Sequence, residues 1–347
     1  MKTRSIVKTD EKGQLHVVEE PIPELKPYTV LVEVKSCLIS PGTELHSILR
    51  NRKNPGETPY LDPTGYANAG VVLEVGEGCK GVKKGMRVAC MGNDYAHHAT
   101  HDVVPINLTM PIPEALSFDE ASFAHLAATA LQAVRRAGLE FGRHVLVVGL
   151  GIVGQVAAQL AKASGTHVMA MDRLPMRVEK ARALGIDLVL DPPRENLEAR
   201  AREFTRGYGM DAAIFAFGGD ADEVLQGVLK TMKIAPDGHR MGTISIVGGA
   251  RFEARFPIHF GNMDVRASSR TGPGYHDVAW EHGRDYPKAY FDWTTRRNLE
   301  ECLRVAAEGR VAYKPLITHH FPLKDAPEAY QALIDRPNEA LGVILNP

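Results

Sequence analysis

Cysteine is scarce in this chain, which has four cysteines among 347 residues. The thiols are scattered, and no two of them form a Cys-x-x-Cys pair. A disulfide framework or a cysteine-rich structural zinc lobe needs thiols at regular, closely spaced positions, so the sequence argues against both. The four positions are Cys37, Cys79, Cys90 and Cys302.

An excess of charge of one sign is also lacking, since the formal net charge is −1. Nucleic acids and anionic membranes attract basic surfaces, so the composition supports neither partner. Residues 1–8 lack the apolar stretch of a signal peptide, and the most apolar segment, residues 145–161, is too short to cross a bilayer. We therefore expect a soluble cytoplasmic protein that acts on a small molecule.

Glycine is concentrated at one informative place, a G-x-G-x-x-G between the strand-like residues 145–148 and a helical pattern at 152–164. The first glycine permits a tight turn, the second lets a pyrophosphate approach the backbone, and the third lets helix and strand pack closely. The start of the helix offers unpaired N–H groups and a positive dipole end to phosphates. A dinucleotide is predicted here rather than a glycine turn without a ligand. The predicted contacts are Gly149, Gly151, Ile152, Val153 and Gly154.

Asp172 ends the next strand-like run, about 20 residues beyond the glycines. A carboxylate there accepts hydrogen bonds from the adenosine ribose hydroxyls and repels a 2′-phosphate, which predicts NAD as the cofactor. Arg173 follows directly, and an arginine can accommodate a 2′-phosphate or stack on adenine. NADP therefore stays open as the alternative.

The strand and helix patterns change twice along the chain. Residues 3–113 show short strands and turns with no long helical period, which predicts a small antiparallel barrel or sandwich. A capping box at Ser117 and Glu120 starts a helix predicted to end near Ala137. Strands and helices then alternate up to residue 247, which is typical of a doubly wound parallel sheet with its ligand at the carboxyl ends of the strands.

Several segments together are typical of one superfamily: Val75–Gly78, the turns at Gly81 and Gly85, Leu116–Ala121 and the glycine fingerprint. The chain resembles the medium-chain dehydrogenases/reductases, which include zinc alcohol dehydrogenases and quinone reductases. The resemblance implies an α/β protein with a GroES-like β-barrel catalytic domain at residues 1–125 and 272–347, and a Rossmann domain with a doubly wound parallel sheet at residues 126–271. It also implies a homodimer formed through Rossmann sheet edges.

A narrower resemblance rests on residues 38–44, 65–70, 95–99 and 285–287. These segments are similar to a zinc-independent branch of the superfamily, whose members are often encoded with glycan- or sugar-modifying enzymes.

The three catalytic zinc-ligand positions of the superfamily fall here on Pro41, Tyr66 and His125. Proline has no donor atom, tyrosine is a rare zinc ligand, and a catalytic zinc needs about three protein ligands. We therefore predict that this chain has no catalytic zinc.

Without zinc, protein groups must stabilise the developing alkoxide and move the hydroxyl proton. The resemblance assigns Thr43 to substrate contact and His46 to a proton relay, the alternatives being a turn cap and a surface residue. Tyr66 and His125 are expected to face one cavity, where either could donate to the substrate oxygen, the alternatives being a pocket wall and a satisfied helix histidine. Glu44 is expected to orient Tyr66 or bind substrate, and to have a partner, because an unpaired buried carboxylate is costly.

The aromatic segment between Thr271 and Thr295 is long for a structureless loop, which makes it a candidate binding loop. Flat aromatic faces suit the C–H faces of a sugar or cyclitol, although packing against the Rossmann domain is an equal alternative. The predicted substrate contacts are Tyr95, His98, Tyr275 and Tyr286. The resemblance implies cofactor contacts at Thr129, Phe217, Gly218, Val247 and Gly248.

Three neighbouring histidines, His97, His98 and His101, raise the question of a metal site. No acidic or cysteine partner is evident in the sequence, so partly exposed histidines in a loop and strand are the favoured interpretation.

The sequence thus predicts an NAD-dependent, zinc-independent oxidoreductase that interconverts a secondary alcohol and a ketone on a sugar, polyol or cyclitol. The alternatives are an NADPH-dependent quinone or enone reductase and a dinucleotide-binding protein with little turnover.

Overall fold

The computed structural model describes residues 2–192, 194–256 and 258–347. The chain divides into two compact units, with one boundary inside a helix. The first unit comprises Met1–Ala128, Thr271–Gly309 and Tyr313–Pro347, and the second comprises Thr129–Arg270 and Arg310–Ala312.

Strands and helices are numbered in chain order within the described residues. The strands are β1 Thr3–Asp10, β2 Leu15–Pro21, β3 Thr29–Leu38, β4 Leu61–Pro63, β5 Ala67–Val75, β6 Arg87–Met91, β7 His101–Pro105, β8 Thr109–Pro111, β9 His144–Val148, β10 His167–Met171, β11 Leu188–Leu190, β12 Ala212–Phe215, β13 Gly219–Asp220, β14 Thr243–Ile246, β15 Ala250–Arg251, β16 Asp264–Ala267, β17 Ile317–Pro322 and β18 Gly342–Asn346. The α-helices are α1 Pro41–Lys53, α2 Phe118–Ala121, α3 Ala124–Arg136, α4 Ile152–Ala163, α5 Pro175–Ala183, α6 Leu197–Phe204, α7 Asp222–Thr231, α8 Val278–Glu281, α9 Thr295–Ala307 and α10 Ala326–Asp335.

Two sheets build the first unit. One is antiparallel, with the order β2-β1-β4, and the other has the order β17-β18-β3-β5-β6-β8, with β7 also paired to β3. Its pairs are antiparallel except for β17 and β18. Strand β3 is rich in valine and almost wholly buried, and part of the core forms where it and β18 meet α1 and α10. Core side chains there include Val34, Ile48, Tyr330, Leu333 and Leu345.

Helix α1 contradicts the expectation that residues 3–113 contain no long helix, since it has 13 residues. Pro41 occupies its first turn, where a missing N–H costs nothing, and basic side chains occupy its last turn, where they favour the helix dipole. Its buried residues are Glu44, Ile48 and Asn51. Because two of these three are polar, the hydrophobic period is weak and gives little sign of a helix.

The second unit contains a six-stranded parallel sheet with the order β11-β10-β9-β12-β14-β16. Its order reverses between β9 and β12, which confirms the predicted doubly wound α/β sheet. The predicted strand at residues 145–148 agrees with β9 to within one residue, and the predicted alternation up to residue 247 ends with β14 at Ile246. Buried side chains from strands and helices form its core, including Leu146, Met169, Phe215, Leu225 and Ile244.

The predicted capping box is confirmed, because the Ser117 side chain accepts from the Glu120 N–H and the Glu120 side chain accepts from the Ser117 N–H. The helix that follows is interrupted, however, and continues as α3 from Ala124. The Ser122 hydroxyl donates to the backbone oxygen of Asp119 at 2.7 Å, a local bond that competes with regular helix geometry. The break places His125 in the first turn of α3.

Membrane-spanning length combined with high hydropathy is found in no helix of the described ranges.

Candidate active site and nucleotide loop

Residues 149–154, here called the glycine loop, connect β9 to α4. Gly149 has a φ of +87°, a conformation that favours glycine. A Cβ at Gly154 would lie 1.7 Å from the backbone oxygen of Gly149, so the close packing of helix on loop requires glycine there. A Cβ at Gly151 would meet no atom closer than Arg177 Nη1 at 4.0 Å. The middle glycine therefore leaves space beside the loop.

Helix α4 begins at Ile152, which is buried, with Gly151 as the residue before it. Gly151 has no side chain to accept from the first-turn N–H groups, which is the usual arrangement where a helix start binds a phosphate. Val153 is half-buried in the same turn. The loop and the helix start fit a dinucleotide pyrophosphate.

Asp172 is held against the glycine loop. Its Oδ2 accepts the Leu150 N–H at 2.6 Å, and its Oδ1 accepts the Leu174 N–H at 2.8 Å. The carboxylate is buried, and each oxygen keeps further lone-pair capacity after these bonds. Its position after β10 suits a ribose contact, whereas Arg173 is exposed.

Arg177 is a candidate cofactor residue that the sequence reasoning missed. Its Nη1 lies 3.7 Å from Asp172 Oδ2, and the same atom is the nearest neighbour to a side chain built at Gly151. The Gln155 amide donates to the Arg177 backbone oxygen at 2.7 Å, which ties α5 to α4. A basic residue in the first turns of the helix that follows Asp172 is the sequence feature that could have identified it.

The predicted contacts for the nicotinamide half follow β12 and β14 in the second unit. A Cβ at Gly248 would lie 2.1 Å from the Phe217 backbone oxygen, so the two loops touch at this point. Gly218 and Val247 are adjacent to this contact in sequence, and Thr129 is half-buried in α3. The structure brings four of the five residues together, and their binding roles stay predictions.

In the first unit, Tyr66 belongs to a group of three aromatic rings with His125 in the middle. Its ring centroid is 4.6 Å from that of His125, which meets Tyr275 edge-on at 5.7 Å. The His125 Nδ1 lies 2.8 Å from the Tyr66 backbone oxygen, so this nitrogen carries the hydrogen. The Tyr275 hydroxyl accepts the Asn93 N–H at 2.8 Å.

The Tyr66 phenol keeps its proton at neutral pH. Burial raises its pKa well above the usual value, and the negative charge of Glu44 raises it further, while hydrogen bonds with Ser40 and Thr43 act in the opposite direction. The phenol donates to Ser40 Oγ. Tyr66 is therefore a hydrogen-bond donor, which is what stabilisation of a substrate oxygen requires.

Thr43 and His46 lie almost one turn apart on α1, and both side chains are exposed. Thr43 lies close enough to the Tyr66 phenol to lower its pKa. His46 is placed where solvent reaches it, as the end of a relay would be, and its catalytic role stays a prediction.

Glu44 reaches Tyr66 through Ser40 rather than by a direct hydrogen bond, and the expectation that it orients Tyr66 stays a prediction. Its Oε1 accepts the Ser40 N–H at 2.8 Å, and its Oε2 lies 3.0 Å from His98 Nε2 and accepts the Tyr330 hydroxyl. The side chain is buried to the same degree as that of Asp172, and its direct substrate contact stays a prediction. We call Ser40, Glu44, His98 and Tyr330 the Glu44 network.

The interpretation of partly exposed histidines is wrong for His97 and His98, which are 7% and 0% exposed. His98 therefore cannot contact a substrate in this structure, contrary to its predicted role. His97 Nδ1 lies 3.0 Å from Asp102 Oδ1, which also accepts from Arg4 Nη1 at 2.5 Å. Each buried histidine thus has an acidic partner that the sequence reasoning did not identify.

The donor chemistry at the superfamily's zinc positions does not fit the metal. Of the three positions that the resemblance assigns to zinc ligands, Pro41 has no side-chain donor and Tyr66 carries a phenol, which is a rare zinc ligand, so His125 is the one common ligand type among them. Across residues 2–192, 194–256 and 258–347, no three His, Cys, Asp or Glu side chains are grouped to hold a metal ion.

Two predicted substrate tyrosines have acidic partners in the aromatic segment. The Tyr95 hydroxyl donates to Glu281 Oε2 at 3.2 Å, and burial together with Glu281 raises the pKa of Tyr95 to about 12. The Tyr286 hydroxyl donates to Asp277 Oδ2 at 2.6 Å, and its pKa is raised to about 12 by burial and by this bond. Glu281 is buried and also accepts the His276 N–H at 2.8 Å, so it organises this segment.

Several known proteins are similar to this chain. A family model described as zinc-binding dehydrogenase matches residues 153–282. The (R,R)-butanediol dehydrogenase of Neisseria gonorrhoeae is 25% identical, with 97% of each chain covered, and the sorbitol dehydrogenase of Mus musculus is 25% identical over 92% of this chain and 89% of that one. These matches support the assignment of the chain to the medium-chain dehydrogenase/reductase superfamily.

A further superfamily relative, the D-guloside 3-dehydrogenase of Shigella flexneri, is 30% identical over 65% of this chain. The match spans 60% of that relative, which is less than two thirds of its length. The superfamily model begins beyond Pro41, Tyr66 and His125, so its match does not bear on those positions.

Solved structures agree with the superfamily fold. An Escherichia coli oxidoreductase of unknown specificity has a TM-score of 0.82 at 18% identity, with 99% of each chain covered. An alcohol dehydrogenase from Thermus has a TM-score of 0.77 at 25% identity, again with 99% coverage of each chain. A Sinorhizobium meliloti protein described as bound to NADP has a TM-score of 0.77 at 22% identity over the full length of both chains.

Proposed function

We propose that this protein is an NAD(H)-dependent oxidoreductase that interconverts a secondary alcohol and a ketone on a sugar, polyol or cyclitol, without a catalytic zinc. The observation that carries the proposal is the protonated Tyr66 phenol, which occupies a zinc-ligand position of the superfamily and lies 4.6 Å from the His125 ring. The superfamily relatives support the alcohol class, since their names specify dehydrogenases of a guloside, a butanediol and sorbitol.

The proposal assigns the dinucleotide to the second unit. The space beside Gly151 and the start of α4 support a pyrophosphate site, and the carboxylate of Asp172 at the end of β10 would accept from ribose hydroxyls, which supports NAD. The chemistry that a bound nicotinamide would supply is the uptake or delivery of a hydride at the substrate carbon. Arg173 and Arg177 supply positive charge close to Asp172, which is the observation in favour of NADP and hence of the quinone or enone reductase alternative.

The proposal assigns the proton chemistry to the first unit. In the substrate complex Tyr66 turns its O–H from Ser40 to the substrate oxygen, where the negative charge develops in the reducing direction, and the Ser40 hydroxyl then donates to the phenol oxygen. With hydrogen on His125 Nδ1, the basic atom of the neutral ring is Nε2, which suits it to accept the hydroxyl proton in the oxidising direction. Thr43 holds the phenol, and His46 exchanges protons with solvent.

The experiment is a cofactor and substrate panel with purified protein. Binding of NADH and NADPH is compared by fluorescence titration, and reduced-nicotinamide absorbance is followed with polyols, glycosides, cyclitols, 2,3-butanediol, quinones and enones. We expect tighter binding of NADH and turnover with at least one secondary alcohol. Preference for NADPH with turnover of quinones or enones alone would establish the reductase alternative, and tight NADH binding with no turnover would indicate a binding protein.

A further inference from the structure

The Glu44 network contains two side chains to which the proposed function assigns no part. His98 and Tyr330 are both 0% exposed, so neither can contact a substrate or a nucleotide in this structure. Both reach the same oxygen of Glu44, although His98 lies 54 residues and Tyr330 lies 286 residues beyond it in sequence. Two distant elements therefore converge on one buried carboxylate.

The Glu44 carboxylate depends on these donors. A buried charge is stable only when hydrogen bonds replace the water that it has lost. Ser40 satisfies Oε1 through its backbone N–H, while Oε2 depends on His98 and Tyr330. Glu44 also lies in the first turn of α1, where the helix dipole favours a negative charge.

The orientation of the His98 ring follows from its two nitrogens. Nε2 faces Glu44 at 3.0 Å, whereas Nδ1 is buried with no hydrogen-bond partner among the described residues. A hydrogen on Nδ1 would be an unsatisfied buried donor, which is less favourable than an unused lone pair. The hydrogen therefore lies on Nε2, and His98 donates it to Glu44.

His98 also packs directly against the chain that leads to Tyr66. The His98 N–H donates to the Thr64 backbone oxygen at 2.9 Å. A Cβ at Gly65 would lie 2.6 Å from the His98 backbone nitrogen and 2.8 Å from Nδ1, so only glycine permits this approach. The Tyr330 ring meets the His98 ring edge-on at 6.2 Å.

Ser40 connects Glu44 to the Tyr66 phenol. Glu44 holds the backbone N–H of Ser40, and the Ser40 hydroxyl accepts the Tyr66 proton. We infer that His98 and Tyr330 are positioning residues: they hold the Glu44 carboxylate, and through Glu44 and Ser40 they orient the Tyr66 phenol. This assignment rests on the proposed function, because it gives the network its role through Tyr66.

The orientation of the Tyr66 phenol should affect turnover measurably, since a misplacement of a reacting group by about 1 Å can reduce turnover about a hundredfold. The test compares His98→Leu, which lacks the donor, with His98→Gln, whose amide nitrogen takes the place of Nε2. Tyr330→Phe removes one hydroxyl and keeps the ring. Tyr313→Phe is the matched control, because it removes another buried hydroxyl of the first unit, which donates to the Cys302 backbone oxygen at 3.0 Å.

We expect kcat to fall about 10- to 100-fold in His98→Leu and Tyr330→Phe. Substrate KM should change little, His98→Gln should recover most of the loss, and Tyr313→Phe should match the wild-type protein. Thermal unfolding and near-ultraviolet circular dichroism verify that each variant is folded. Wild-type kcat in a folded Tyr330→Phe, or equal losses in His98→Gln and His98→Leu, would overturn the inference.

A readout that needs no activity separates this inference from the proposed function. Nitrogen-15 NMR of the histidine rings in the wild-type protein at neutral pH should show His98 with its hydrogen on Nε2, and Tyr330→Phe should shift that signal. A hydrogen on Nδ1 would overturn the network, whereas the expected spectrum with no turnover on any substrate would refute the proposed function alone.

Discussion

Residues 149–177 supply the glycine loop, Asp172 and Arg177, whereas the network around Tyr66 draws on positions from Ser40 to Tyr330. The loop depends on backbone geometry, since a side chain at Gly154 would overlap the Gly149 oxygen. The Tyr66 site depends on side-chain hydrogen bonds between distant segments. The proposed nucleotide site is thus encoded locally, whereas the proposed site for the substrate oxygen is encoded by the tertiary fold.

The largest effect is expected at Gly154. Gly154→Ala places a methyl group 1.7 Å from a backbone oxygen, so it should destabilise the second unit by about 3 kcal/mol and abolish NADH binding. The measurements are thermal unfolding and NADH fluorescence titration. Gly227→Ala in α7 is the control, because its methyl group would meet only the Leu197 side chain at 3.4 Å. An unchanged Gly154→Ala would show that the loop geometry is not required.

Gly151→Ala, in the same loop, separates an effect on NADH binding from an effect on folding stability. Its methyl group meets no atom within 4 Å apart from Arg177 Nη1 at that limit, so stability should be unchanged. The methyl group would occupy the space assigned to the pyrophosphate, and NADH binding should weaken about tenfold, or roughly 1.4 kcal/mol. Wild-type affinity in this variant would place the phosphates elsewhere.

Tyr66→Phe tests the site around Tyr66 in the first unit. Removal of one donor to a developing oxyanion typically costs about 10²- to 10³-fold in kcat, and we expect that range here. The NADH dissociation constant should not change, because the nucleotide is assigned to the second unit. Steady-state kinetics and fluorescence titration measure the two quantities, and a fully active Phe variant would remove Tyr66 from the mechanism.

The pH dependence of turnover tests the link between Glu44 and Tyr66. Burial and the negative charge of Glu44 both disfavour the phenolate, so the pKa of Tyr66 is raised and the donor persists as the pH rises. Ketone reduction should therefore show no loss from Tyr66 ionisation below about pH 10. Glu44→Gln removes the charge, which lowers the pKa of Tyr66 and moves the alkaline loss to lower pH.

The control for that profile is Glu114→Gln, because Glu114 is an exposed carboxylate. An alkaline limb that stays in place in a folded Glu44→Gln would show that the Glu44 charge does not act on the phenol.

The smallest effect is expected at His46, which is exposed. A residue that relays protons to solvent is partly replaced by water, so His46→Gln should lose less than the roughly 10²-fold of a direct general base. The loss should be largest at low pH in the oxidising direction. A pH profile identical to that of the wild-type protein would reject the relay.

The difference between a loop encoded by adjacent residues and a site built from distant segments decides what the sequence could predict. The alternation of strands and helices up to residue 247 is confirmed because each element depends on a short local pattern, whereas β16 lies beyond it and was missed. The binding roles of the glycine loop and of Asp172 stay predictions. Helix α1 was missed because two of its three buried residues are polar. The pairing of Glu44 with His98 and Tyr330 spans 54 and 286 residues, and a single sequence contains no signal for such contacts. His98 was therefore assigned to the substrate when it is in fact buried.

The metal requirement of the purified protein tests most directly the claim that protein side chains act on the substrate oxygen. Turnover is measured before and after treatment with a strong zinc chelator, together with metal analysis of the same sample. We predict that the chelated, metal-free protein retains its full turnover number. Loss of activity on chelation, restored by one equivalent of Zn²⁺, would contradict the account.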